Sequence, residues 1–162
     1  MGMYGVFAHV SDEELRAVLA NPDGIERMLD SFEDDESMTR ELNVEKSWHA
    51  LHWLLTGSEW EGAPPLNFIV AGGTEVGDSD VSARVFTSDD VRAMHAALSP
   101  ITSTELISRY DGHAMQLLYP EIWNWPDEQE SNRRDLAYQF EALKGFVSHG
   151  AELGHGMLVY IG

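Results

Sequence analysis

The chain opens on Met3 to Val10 (MYGVFAHV), a run rich in aromatic and β-branched residues that predicts a strand. The apolar spacing then turns helical. Ser11 stands as an N-cap, Glu14 completes a capping box, and Leu15, Val18 and Leu19 follow at helical intervals. Asn21-Pro22-Asp23-Gly24 ends that helix in a turn. Ile25, Met28, Leu29 and Phe32 outline a second short helix that runs into the acidic stretch Glu33-Asp34-Asp35-Glu36.

Asn43 predicts the cap of a third helix over about Val44 to Thr56, stopped by Gly57. Its apolar stripe is Val44, Trp48, Leu51, Leu54 and Leu55. Past Gly62 and Pro64-Pro65, Leu66 to Ala71 reads as a strand and Gly72 to Asp80 as a polar, glycine-rich loop. Ser82 to Phe86 predicts another strand, and Ser88-Asp89-Asp90 caps a fourth helix through Leu98. Pro100 opens a further helix to about Tyr110, whereas residues 112–127 are apolar without a period, broken by Pro120 and Pro126. A long helix from about Asn132 to His149 and a strand over Met157 to Ile161 complete the pattern.

Strands near both ends can pair in one sheet. Few strands, not alternating regularly with helices, predict an α+β fold: a small mixed or antiparallel sheet with the terminal strands paired and about five to six helices packed on it. No repeat or low-complexity linker divides residues 1–162, so a single domain is expected.

Charge changes this picture most. The net charge is −18, with −8 in residues 1–54 and −5 in each of 55–110 and 111–162. Such a surface repels nucleic acid and anionic lipid and attracts a basic protein partner. The absence of cysteine excludes disulfides, thiolate metal sites and cysteine nucleophiles, and it fits a cytoplasmic protein. The N-terminus lacks signal-peptide character, and no apolar run approaches the roughly 18 residues that span a bilayer.

Several pieces, in order, resemble the YfbM-like bacterial proteins. They are Met1-Gly2-Met3, Trp48-His49-Ala50-Leu51-His52 with Leu54-Leu55-Thr56-Gly57, the Gly72-Gly73 loop, Ala83-Arg84, and Tyr119-Pro120 with Trp123. The resemblance implies a single-domain α+β protein of a family without an assigned function. It also implies an aspartate and a Gly-Tyr-Gly-Pro run before Ala-Arg, where this chain has the shorter Asp80-Val81-Ser82.

Candidate chemistry gathers on the tryptophan–histidine helix. Glu45, His49 and His52 fall within about 60° on one helical face, bordered by Trp48. Imidazole and carboxylate suit a metal, but the spacing is not that of His-Glu-x-x-His, so no metal and no cofactor is assigned. The buried, hydrogen-bonded alternative for these histidines stays open. Asp78-x-Asp80 lacks the rest of a calcium loop, and no Gly-x-Ser-x-Gly marks a nucleophile. His9, His113, His149 and His155 read as isolated.

Two function classes follow. The first is a non-catalytic acidic protein that neutralises a basic partner through Glu33, Asp34, Asp35, Glu36, Glu59, Trp60 and Glu61, as small acidic bacterial immunity proteins do. The second is a small enzyme using Glu45, His49 and His52, with Arg84 or Arg109 holding an anion.

Overall fold

The computed structural model describes residues 2–33, 40–77 and 82–162. Among the described residues five strands form one antiparallel sheet: β1 (Gly5–Val10), β2 (Glu41–Asn43), β3 (Thr74–Gly77), β4 (Ser82–Phe86) and β5 (Gly156–Ile161). Their spatial order is β2-β1-β5-β4-β3. The strands from the two ends of the sequence are neighbours, with Val6 opposite Tyr160 and Ala8 opposite Leu158. Six helices of the described residues pack around the sheet: α1 (Asp12–Ala20), α2 (Ile25–Glu33), α3 (Trp48–Thr56), α4 (Ser88–Leu98), α5 (Ser103–Ser108) and α6 (Gln129–Leu153).

Strand alternation divides the interior in two. Phe7, Phe86, Met157 and Val159 join the larger core with Trp48, Leu51, Leu98, Phe140 and Leu143. Ala8, Val10, Val85 and Leu158 point to the other face and pack with Leu15, Val18 and Ile25. Helices α1 and α2 therefore cover one side of the sheet, while α3, α4, α5 and α6 supply the other.

The α1 capping box forms as its sequence implies: the Glu14 N–H donates to the Ser11 hydroxyl at 3.1 Å, and the Ser11 N–H to the Glu14 carboxylate at 3.0 Å. Elsewhere several expectations are corrected. Thr87, not Ser88, caps α4 through a box with Asp90. Asn43 ends β2, and residues 45–47 form a short 3-10 turn before α3 begins at Trp48. Leu66–Ala71 is not a strand but a run of turns, closed by an Ala71 N–H to Asn67 carbonyl bond of 2.9 Å. Phe68 and Ile69 are consecutive and both fully buried, which a half-exposed strand does not allow. The stretch expected as a Gly-rich loop contains β3, an edge strand with only Val76 buried. Asp78-Ser79-Asp80-Val81, which holds the acids of the calcium reading and most of the shortened loop, lies outside the described residues.

Candidate functional site

Helix α3 is buried along seven of its nine residues, so its histidines are interior groups. His49 Nδ1 accepts the Tyr119 N–H at 2.9 Å, and its Nε2 lies 3.0 Å from the Glu59 carbonyl. Those two bonds place the ring proton on Nε2 and leave no lone pair for a ligand. Burial lowers the pKa of His49, against a smaller raising effect of the Glu59 backbone. His52 is fully buried, and burial pulls its pKa down to about 4. The Thr56 hydroxyl donates to the His52 carbonyl at 2.9 Å and lies 3.3 Å from His52 Nε2. His52 Nδ1 has no hydrogen-bond partner among the described residues.

Glu45 lies outside the helix. It sits exposed in the preceding turn at φ 55°, where its N–H donates to Asn43 Oδ1 at 2.7 Å. Glu45, His49 and His52 thus form no common ligand set. Among the described residues no group of three His, Asp or Glu side chains is arranged to hold a metal ion.

The same helix supports an aromatic knob. By fixing the Glu59 carbonyl, His49 places the next side chain, Trp60, against its own ring at 4.4 Å and near Trp48 at 6.1 Å. Tyr119 stacks on Trp48 at 5.6 Å, and its hydroxyl accepts the Met3 N–H at 2.8 Å. Trp48 is only 1% exposed, yet Trp60 is 57% exposed between Glu59 and Glu61, which both face solvent. Of the acidic patch expected beside it, Glu33 closes α2, but its side chain and Asp34, Asp35 and Glu36 lie outside the described residues.

Both arginines of the anion-binding expectation are engaged by backbone carbonyls. The Arg84 guanidinium donates to the carbonyl of Phe68 at 2.9 Å and to those of Ile69 and Ala71. It thereby fastens the 64–71 turns to β4. Its burial lowers its pKa to about 10, and Glu75 on the adjacent strand opposes that shift. Arg109 donates to the Leu54 carbonyl at 2.9 Å, near the C-terminus of α3, and pairs with Glu105 at 3.3 Å. At Arg84 peptide carbonyls take up the fork that suits carboxylate and phosphate, whereas Arg109 divides its fork between one carbonyl and one carboxylate.

Three histidines expected to be isolated meet instead. His9 on β1 stacks on Phe146 at 3.9 Å, and its ring centroid lies 5.7 Å from that of His149 and 6.1 Å from that of His155. Gly150 makes this possible, because a Cβ there would stand 2.8 Å from His9 Nδ1. The one signal in the sequence is parity: His9 lies two residues after Phe7 and therefore on the α6 side of the sheet.

The fold is similar to that of the crystal structure of a protein of unknown function, YfbM from Escherichia coli. That match has a TM-score of 0.76, 22% identity, and coverage of 98% of this chain and 99% of the other. At the sequence level, YfbM of E. coli strain K12 is 34% identical over 58 residues, which is 36% of this chain and 34% of that protein. The aligned stretch thus spans about a third of that relative's length. Residues 1–160 match the family described as Domain of unknown function (DUF1877), and the chain belongs to that family.

Proposed function

We propose that the chain is a non-catalytic binding protein that neutralises a basic protein partner, in the manner of an immunity protein, with Trp60 as its anchor. The observation that carries this reading is a large exposed ring on a fixed base. Trp60 is 57% exposed, rests against the buried His49 and Trp48, and is flanked by two exposed glutamates. A rigid tryptophan loses little conformational freedom on binding, and such residues dominate binding energetics. The net charge of −18 supplies long-range attraction for a basic partner. The acidic stretch 33–36 adds to that field by its sequence alone. A catalytic reading through Glu45, His49 and His52 gains no support, because the His49 and His52 rings are turned inward to Glu59, Tyr119 and Thr56 while Glu45 lies outside the helix.

The test is parallel capture from the native bacterium with the wild-type protein, Trp60→Ala and the paired reversal Glu59→Lys/Glu61→Lys. A stoichiometric basic protein that is lost in high salt is expected with the wild type. Trp60→Ala should weaken its binding about 30-fold, or 2 kcal/mol. Equal recovery by all three proteins would overturn the assignment of this surface.

A further inference from the structure

A cavity of about 190 Å³ opens where the end of β1, the start of α1 and the last turns of α6 meet, lined by His9, Ser11, Glu14, Arg40, His149 and His155. His9 is 6% exposed, and its Nε2 has no hydrogen-bond partner among the described residues. His155 Nδ1 is likewise buried without a partner there. Buried polar atoms without a protein partner are costly and uncommon, and two of them belong to residues that line this one cavity.

The lining selects the sign of an occupant. The charged and titratable groups acting on His9 are His149 from α6, His155 from the α6–β5 turn and Arg40 from the segment entering β2. Among the described residues none of these is an acid. Among the described residues Glu14, from α1, is the one carboxylate in the wall, and both its oxygens are engaged, by the Ser11 N–H at 3.0 Å and by Arg40. Asp12 and Glu13 of the same helical turn are exposed and outside the lining. The nine-residue helix α1 begins at the cavity through its cap, Ser11, and so directs its positive dipole end there. Imidazole N–H groups, a guanidinium, a hydroxyl and a helix N-terminus are together an oxyanion's donor set. A metal ion is disfavoured, since no three donors converge among the described residues.

We infer that this cavity binds a small tetrahedral oxyanion of the sulfate or phosphate class, taken up together with a proton on the histidine cluster. Protonation gives an imidazole its second N–H and a positive charge. Burial, His149, His155 and Arg40 all oppose that charge on His9, and an anion in the cavity reverses the balance.

Inorganic sulfate is the probe, because its charge is constant across the range in which histidines titrate. Calorimetric titration near pH 5.5 and near pH 8, with imidazole carbon–proton spectra, reads both affinity and place. Binding should be at least about 10-fold tighter at the lower pH, release heat that depends on the buffer, and shift ring signals of the three histidines. Glu14→Gln keeps a capping-box residue and removes the negative charge from the cavity wall, so it should tighten sulfate binding severalfold, whereas a purely structural Glu14 predicts no gain. His149→Gln, an exposed change that spares the fold, should weaken it. Unmoved ring signals at saturating sulfate, or unchanged affinity in both variants, would overturn the site.

Discussion

Mild acid should weaken this protein through two histidines before its carboxylates titrate. Burial lowers both His9 and His52 from 6.5 to about 4 in the folded chain. In the unfolded chain both bind a proton near the ordinary value, so below it the unfolded state carries more protons than the folded one. Their contribution to stability is therefore complete above about pH 6.5 and is lost as pH falls toward 4. At pH 5 each histidine costs about 2 kcal/mol, and the pair about 4 kcal/mol, a large part of the roughly 5–15 kcal/mol that holds a typical domain. Urea unfolding at a series of values from about pH 7.5 to 5, in buffer free of sulfate and phosphate, measures this directly. The slope should approach about 2.7 kcal/mol per pH unit, the value for two protons. His52→Met replaces the ring with an apolar side chain of similar size, and should remove about half of that slope. Stability that is flat between about pH 7 and 5, or a full slope retained in His52→Met, would refute the reasoning.

Two further results follow from named contacts. Arg84→Met leaves the carbonyls of Phe68, Ile69 and Ala71 without their shared donor and should cost about 3 kcal/mol in urea unfolding, with Arg84→Lys in between; a cost under about 1 kcal/mol would refute the clamp. Within α6, Gly145 has open space where a Cβ would go, so Gly145→Ala should raise stability by about 0.5–1 kcal/mol. Gly150→Ala, with His9 Nδ1 at 2.8 Å from the new methyl, should lower it by about 1–3 kcal/mol; the same sign for both changes would count against this packing.

What could be read from the sequence is what local chemistry decides. Ser11 and Glu14 act three residues apart, and the capping box forms where its spacing puts it. The β1–β5 pairing follows from two apolar runs that could not stay uncovered. Leu66–Ala71 misled because its apolar density comes from neighbours at long range: Arg84, sixteen residues past Phe68, supplies the donors that let those turns stay partly buried. β3 was hidden because an edge strand with one buried residue has no alternation to detect. The histidines near Trp48 attracted attention by their density, yet His49 is engaged on both sides by backbone groups. The cluster that lines a cavity is assembled from His9, His149 and His155, which no spacing rule connects.

The strand order also sets a timetable. The middle strand of the sheet is β5, and β1 on its one side and β4 on its other have no contact with each other until Gly156–Ile161 arrives between them. At about 5–20 residues per second, the ribosome delivers β5 on the order of ten seconds after β1. Through that interval β1 can pair only with the three-residue β2, and its other edge, with Phe7 and Ala8 beside it, stays open to any passing strand. Closing the sheet from such distant parts of the chain carries a large entropic cost and is slow. A newly made molecule is thus most in need of a chaperone in the seconds before β5 emerges.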